Sequence, residues 1–448
     1  MKSIVKSVLT VLLLQAVVTR GATVTNIAAG LYHSLFLKSD GSLWAMGQND
    51  VGQLGDGTHN NTNRPEQIVS NGVIAVTAGG SHSLFLKSDG SLWAMGYDAF
   101  GQLGNGTNTS AVNSRPEPIV PSGVVAIAAG SYHSLFLAHD GSLWAMGRDV
   151  EGQLGDGNFT NGINRPEQIV PNGVTSMAGG EYHSLFLKVD GSLWAMGDNT
   201  DGQLGAGALT KTNRPEEIVS NGVVAIAAGF NHSLFLKADG SLWAMGNDGY
   251  GQLGIGKYNS GTNRPVEVVS NGVEAIAAGG NTSLFLKSGG SFWGMGQNSY
   301  AASGDGTLSN SNRPVQIVAG GVVAVTRGHT HGLFEKSDGS IWAMGDDSLG
   351  QLGDGFTNST SLPEQIFPSP QPLLASIIVS GTNLQIQATS LFGGTFYLLA
   401  GTNLTEPLSQ WTPVWTTFVN AGGSNNFSAT IPNAISSGAA GFYILQSQ

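Results

Sequence analysis

His-Ser-Leu-Phe-Leu-Lys-Ser-Asp-Gly-Ser-Leu-Trp-Ala-Met-Gly at residues 33–47, followed after four further residues by Gly-Gln-Leu-Gly-Asp-Gly at 52–57, decides how this chain is read. The stretch occurs seven times, marked by Trp44, Trp93, Trp144, Trp194, Trp243, Trp293 and Trp342, with spacings of 49, 51, 50, 49, 50 and 49. A fixed period near fifty residues is the mark of a solenoid, propeller or array. Each repeat in such an architecture is one small unit that buries its apolar face only against its neighbours.

One copy can be taken apart at residues 65–96. Pro-Glu-Gln-Ile-Val at 65–69 is a short β-prone run. Asn71-Gly72 follows, the preferred pair for a two-residue hairpin because both central positions need positive φ. Residues 73–79 make a second strand, rich in Ala and Gly. His-Ser-Leu-Phe-Leu-Lys at 82–87 makes a third, with Leu84 and Leu86 on one face and Ser83 and Phe85 on the other. After the Asp89-Gly90 turn, Leu-Trp-Ala-Met at 92–95 is the fourth. Four antiparallel strands in meander order form one blade. In this frame the Asn-Gly pair joins two strands of one blade, and the longer segment 96–115 links blades. The leading Pro suits an edge strand, where its missing N–H breaks no ladder. The first copy has no Pro-led strand before it, whereas the last ends in Pro-Glu-Gln-Ile-Phe at 363–367. The expectation is that 363–367 completes the first blade and closes a seven-bladed ring, removing open sheet edges.

Composition agrees with many short strands joined by tight turns: 66 of 448 residues are Gly and 11% are charged, while 40% hydrophobic content supplies a core. Residues 1–22 read as an export signal. Lys2 and Lys6 precede an apolar run over 8–18, and small residues follow at Thr19, Gly21 and Ala22. The run falls short of the roughly 20 apolar residues that span a bilayer. Removing this segment takes away Lys2, Lys6 and Arg20 and leaves 16 basic against 30 acidic residues, a net charge of −14. That charge argues against nucleic acid, whose phosphates need a basic stripe. The absence of cysteine excludes disulfides, a thiolate nucleophile and Cys-held metal. An exported protein of bacterial type, extracellular, periplasmic or at the cell surface, is expected.

The pattern Gly-x-x-His-Ser, Asp-Gly-x-x-x-x-x-Gly, Gly-Gln-Leu-Gly and a later Pro, almost intact in copies one to five, resembles the regulator-of-chromosome-condensation repeat family. The resemblance covers about residues 23–367 and implies an all-β, seven-bladed β-propeller. For function it implies less, because members of that family range from a nuclear exchange factor for a small GTPase to secreted bacterial inhibitors of β-lactamases. The export signal disfavours nucleotide exchange. Copies six and seven depart from the pattern. Thr282 replaces His, Gly289 replaces Asp, and Ala-Ala-Ser-Gly at 301–304 replaces Gly-Gln-Leu-Gly; Glu335 stands for Leu, and Ser361-Leu362 for Asn-Arg. These blades are expected to be the least regular.

The repeated histidines (His33, His82, His133, His183, His232 and His331) lie on different blades, too far apart for one zinc, whose ligand distances are about 2.0–2.1 Å. The expectation is a buried His bonded to backbone within its own blade. His329 and His331 share a strand but lack a third ligand. Asp-Gly pairs at Asp40, Asp89, Asp140, Asp190, Asp239 and Asp338 read as turns. So do those at Asp56, Asp156, Asp305 and Asp354, which lack the oxygen run of a calcium loop. No nucleophile elbow, phosphate loop or paired catalytic carboxylate occurs, so no enzyme, cofactor or metal site is expected. The informative residues are those that vary on the constant scaffold: four between Met-Gly and Gly-Gln-Leu, and the short bend before each His. Equivalent loops must emerge on one face of the ring. The candidate binding residues there are Tyr32, Tyr97, Phe100, Tyr132, Arg148, Tyr182, Phe230, Tyr250 and Tyr300, of types that concentrate binding energy in protein interfaces.

Pro-Ser-Pro-Gln-Pro at 368–372 reads as a stiff linker. Residues 373–448 then read as a small β-sandwich-like domain with strands near 375–379, 383–389, 395–400, 411–419, 427–431 and 442–446. Trp411 and Trp415 are assigned to its core. The functional expectation is a monomeric, secreted or envelope-associated binding protein that presents a variable-loop face to a protein partner. An extracellular carbohydrate- or surface-associated structural module is the alternative.

Overall fold

The computed structural model describes residues 23–108, 113–301 and 303–367, together with six strands between 373 and 447. Residues 22–368 form one compact unit. The expected export signal and linker lie outside the described residues.

The unit holds seven four-stranded antiparallel sheets. In the first, β1 (Val24–Ala29), β2 (His33–Lys38), β3 (Leu43–Gly47) and β4 (Thr62–Val69) pair in sequence order. The other six sheets repeat that order, so the chain is a seven-bladed β-propeller of four-stranded blades. Inner strands of adjacent blades surround an axial opening lined by Gly30, Gly79, Gly130, Gly180, Gly229 and Gly328.

The blade frame differs from the sequence expectation. Trp44 pairs with Gln67 and Gly47 with Thr62. The long segment after Gly47 therefore folds back within its own blade, and the Pro-led strand is the fourth, outermost strand. Asn71-Gly72, with Gly72 at φ 81°, instead joins the outer strand of one blade to the inner strand of the next. So short a link suffices because it runs past the Asp40-Gly41 turn of its own blade, whose Gly41 carbonyl accepts the Val73 N–H at 3.0 Å. Residues 363–367 accordingly pair with the third strand of the seventh blade, Trp342 opposite Gln365, and do not complete the first. The Pro-led strand is still an edge.

Ring closure is done by packing. Each inter-blade core has equivalent members: Leu35, Leu37, Leu43, Ala45 and Leu54 of the first blade meet Val73, Val76, Phe85 and Met95 of the second. The seventh meets the first through Leu333, Ile341, Ala343 and Leu352 against Val24, Ile27, Phe36 and Met46. Full burial of each large side chain stabilises by roughly 1.5–3 kcal/mol, so seven like interfaces hold the ring without strand exchange. Gly55 shows why the Gly-Gln-Leu-Gly element cannot vary at its last position. Its φ is 80°, and a Cβ there would strike the Met95 Sδ of the next blade.

Within a blade the Asp-Gly turn also aims the Trp. Asp40 Oδ1 accepts the Ser42 N–H, and Ser42 Oγ accepts the Trp44 Nε1–H at 2.9 Å. The Ser42 hydroxyl and amide together hold the Asp40 carboxyl below its usual range.

The C-terminal strands form two three-stranded antiparallel sheets. One contains Leu373–Ser380, Asn383–Ser390 and Asn425–Ile431; the other contains Thr412–Val419, Gly394–Gly401 and Phe442–Ser447. Trp411 lies outside the described residues.

Candidate binding face

Successive strands run in opposite directions, so the bend after each inner strand and the connection from third to fourth strand lie at the same end of a blade. One backbone bond ties them in every blade. Gln48 N–H donates to Tyr32 O at 2.8 Å, Tyr97 to Ser81 at 2.9 Å, Arg148 to Tyr132 at 2.9 Å and Asp198 to Tyr182 at 2.8 Å. Asn247 donates to Asn231, Gln297 to Asn281 and Asp346 to Thr330, at 2.8 to 3.0 Å. Both sets of variable residues thus share one face around the axial opening.

The candidate aromatics fall into two arcs. Over blades two to four, Tyr97 meets Phe100 edge-on at 6.2 Å, Phe100 meets Tyr132 at 5.6 Å, and Tyr132 stacks on Tyr182 at 5.8 Å. Arg148 lies at the centre, its guanidinium carbon 4.8 Å from the Tyr182 ring and 5.4 Å from Phe100. Such contacts stabilise by roughly 0.5–2 kcal/mol each. Glu181, missed in the sequence because only ring residues stood out in the bends, lies beside Tyr182. Burial first, and then Glu181, push the Tyr182 phenol well above its usual range.

The second arc is organised by His329, which stacks on Phe230 at 4.5 Å and meets Tyr32 at 5.9 Å and Tyr300 at 6.2 Å. It draws in blades five, six, seven and one. Burial and the nearby Arg327 lower the His329 imidazole to about 4, which keeps the hub neutral at pH 7. Tyr250 joins neither arc and is exposed.

The corrected frame adds an outer ring. Because the segment after Gly-Gln-Leu-Gly belongs to the blade, Phe159, Leu209, Tyr258, Leu308 and Phe356 occupy equivalent places on this face, each between 50 and 65% exposed. Lys211 of the fourth blade lies 4.9 Å from the Phe159 ring and bonds Glu151 at 3.0 Å. An alignment of the copies at the first or second residue after the last Gly of Gly-Gln-Leu-Gly-x-Gly would have exposed this ring.

The histidines are staples between blades, not within them. His33 Nε2 bonds Ser83 Oγ of the next blade at 2.9 Å, and that hydroxyl donates to the Gln53 carbonyl at 2.7 Å. Since the hydroxyl's proton goes to Gln53, His33 Nε2 must donate. The same clasp links His82 to Ser134, His133 to Ser184, His183 to Ser233, His232 to Ser283 and, across the closure, His331 to Ser34. Burial lowers His33 to about 3 and His82 to about 4. A Ser from the neighbouring blade was invisible to a reading that kept each blade's bonds inside it.

One clasp is missing. Between blades six and seven Thr282 replaces the His and Gly332 replaces the Ser, and Arg327 fills the gap, donating to Thr282 Oγ1 at 3.2 Å. Arg327 is only 6% exposed, and burial lowers it to about 9.

Among the described residues no group of three or more His, Asp or Glu side chains is placed to hold a metal ion, and no helix is long and apolar enough to cross a membrane.

With this geometry in view, comparison with known proteins is direct. The sequence model of the RCC1-like domain matches residues 120–398, more than half the chain. Models of the regulator of chromosome condensation repeat match 40–86 and 89–137, and a second such model matches 24–53 and 73–102. The X-linked retinitis pigmentosa GTPase regulator homolog of Caenorhabditis elegans is 29% identical over 133 residues, covering 29% of this chain and 10% of that relative's length. Human WBSCR16 superposes with a TM-score of 0.66 at 22% identity, over 74% of this chain and 95% of that one. Prp20p of Saccharomyces cerevisiae does so at 0.66 and 22%, over 78% and 88%. These likenesses concern the fold. Repeat pattern, seven-bladed ring and family match agree, and the chain belongs to the RCC1-like domain family of regulator of chromosome condensation repeat proteins.

Proposed function

We propose that this chain is an exported binding protein that docks another protein on the loop face of its propeller. The observation that carries the reading is the pair of concentric rings on one face. An inner rosette of stacked Tyr, Phe, His and Arg is half-buried and held in shape by contacts between blades. Around it stand Phe159, Leu209, Tyr258, Leu308 and Phe356, large apolar side chains each at least half exposed. Pre-ordered aromatics and Arg carry most of the energy in protein interfaces, and exposed apolar groups gathered on one surface mark interaction sites. Prp20p, of similar fold, is described by its binding to Gsp1p and histones, which supports a protein as the partner class. The basic-then-apolar N-terminal run supports export.

The test is capture from culture supernatant and cell envelope with wild type and a Tyr132/Tyr182/Phe230→Ala variant whose fold is verified by circular dichroism. Loss of roughly 2 kcal/mol or more is expected for central anchors, about thirtyfold in affinity. A variant that keeps every partner at wild-type affinity refutes the face.

A further inference from the structure

Six blades cap their conserved Trp with a Lys from the end of the second strand. The Nζ lies 3.8 Å from the Trp44 ring for Lys38, 4.0 Å from Trp93 for Lys87 and 3.9 Å from Trp194 for Lys188. It lies 4.3 Å from Trp243 for Lys237, 5.2 Å from Trp293 for Lys287 and 3.7 Å from Trp342 for Lys336. In four of these blades the same Lys also draws on the Asp of the adjacent Asp-Gly turn, helping to hold Asp40, Asp89, Asp190 and Asp239 ionised.

The third blade has Ala138 in place of the Lys. The stack and the hydrogen bonds that aim the Trp are kept, while the neighbouring His139 is particular to this blade. Trp144 stacks on Phe136 at 5.9 Å, its Nε1–H donates to Ser142 Oγ at 2.9 Å, and the Ser142 N–H donates to Asp140 Oδ1 at 2.9 Å. Both Ser142 bonds fall on Oδ1, leaving Oδ2 for a ligand. A cavity of about 310 Å³ opens where the other blades carry the Lys, lined by Phe136, Ala138, His139, Asp140, Ser142 and Trp144 among others.

We propose that this pocket binds an alkylammonium group, laid over the Trp144 ring with its charge at the Asp140 carboxylate. The protein's other blades supply the template, since what they hold on the same platform is a four-carbon stem ending in an ammonium. Indole is the strongest aromatic partner for a cation, and a methylene stem packs along apolar surface while its head stays polar. The source is either a lysine side chain of another protein or a small organic amine. The site lies by the Asp140-Gly141 turn, at the opposite end of the blade from the loop face, and stands independently of the reading given to that face.

The test uses the full chain labelled with 5-fluorotryptophan, the Trp144 resonance being identified by its loss in Trp144→Phe. The probes are n-butylammonium, a lysine-containing tripeptide, and the same tripeptide acetylated on its lysine. A saturable, millimolar shift confined to Trp144 is expected, with the neutral acetylated peptide at least roughly tenfold weaker. Ala138→Lys installs the side chain that six blades already tolerate and is expected to abolish the response with the fold unchanged. Lys188→Ala is expected to open a second responding site at Trp194. A tripeptide that binds as tightly as the free amine points to a protein lysine, and response to the amine alone points to a small molecule. Equal binding of charged and acetylated peptides, undiminished binding by Ala138→Lys, or a Trp144 resonance that does not move overturns the proposal.

Discussion

Replacing Asp149 by Asn should stabilise the propeller, and more so as pH rises. The position after the first slot residue is buried in every blade and caps the following turn: Leu54 N–H donates to Asn49 Oδ1 at 3.0 Å, and Leu154 N–H to Asp149 Oδ1 at 2.9 Å. In blades one and six an Asn there also donates to the next acid, Asn49 to Asp56 at 3.0 Å and Asn298 to Asp305 at 2.9 Å. In blade three Asp149 faces Asp156, and in blade seven Asp347 faces Asp354, so two carboxyls meet where blades one and six have an amide donor. Burial first, and the second acid after it, raise Asp149 and Asp347 from 3.8 to about 7.

The sign follows from linkage. Between pH 3.8 and about 7 the native state keeps a proton that the unfolded chain has released, so stability is full below the unfolded value and falls as pH rises toward 7. The slope is at most ~1.4 kcal/mol per pH unit, or ~2 kcal/mol between pH 5.5 and 7. Asp156 is only partly buried, and water screens the pair from that side. The expected growth in the Asp149→Asn gain from pH 5.5 to 8 is therefore about 1 kcal/mol, a further rise of roughly 2 °C in melting temperature. Asp347→Asn should act alike, and the two should add, since they sit on separate blades. Asp98→Asn is the control: its Oδ2 already accepts the Thr107 hydroxyl at 2.8 Å, so its gain should depend less on pH. Thermal unfolding of all four proteins from pH 5.5 to 8.5 is the assay. A gain that does not change with pH, or a loss at pH 8, refutes the shared proton.

Three further outcomes are expected. Ser83→Ala strands the His33 Nε2–H and frees the Gln53 carbonyl, and should cost about 1–3 kcal/mol in urea unfolding. The six buried histidines, all held below their usual value with His33 at about 3 and His82 at about 4, contribute stability that is complete above pH 6.5 and lost as pH falls toward 4. Unfolding near pH 5 should therefore take up about four to six protons, measurable as the slope of stability against pH. Thr282→His/Gly332→Ser/Arg327→Ala rebuilds the missing staple and removes a buried cation, and should raise the urea midpoint; a fall would mean that Arg327 is held by more than its bond to Thr282.

Much of the fold is legible because the repeats constrain it seven times over. Blade number, strand identity, the Asp-Gly turns and the Pro-led edge follow from residue type and period alone. The blade boundary does not. Asn71-Gly72 has the chemistry of a hairpin and the geometry of an inter-blade link with only Gly72 at positive φ, and local sequence carries no information on which strands pair across it. The register of Trp44 with Gln67 decides the matter, and that register is set by packing between blades. The same limit explains the histidines. His33 and Ser83 are fifty residues apart, each recurring for a partner in an adjacent copy, so a reading confined to one copy sees two buried polar residues and no bond.

The frame also changes which variation counts. As an inter-blade link, segment 96–115 would carry only connective side chains. Once it belongs to the blade, Phe159, Leu209, Tyr258, Leu308 and Phe356 become a ring on the face that already holds the rosette. Departures from the mould then divide by what their neighbours do. Thr282, Gly332 and Arg327 change together across one interface, as a structural replacement must, because a lone change would leave a buried group without a partner. Ala138 changes with no residue supplying an ammonium in the Lys's place, and its neighbour His139 differs as well. Phe136, Asp140, Ser142 and Trp144 around it keep the residues and contacts of the other blades, and where the Lys would lie there is a cavity that His139 also lines. A substitution compensated from within is a repair of the ring, and one left uncompensated beside an intact aromatic platform is where a ligand from outside fits.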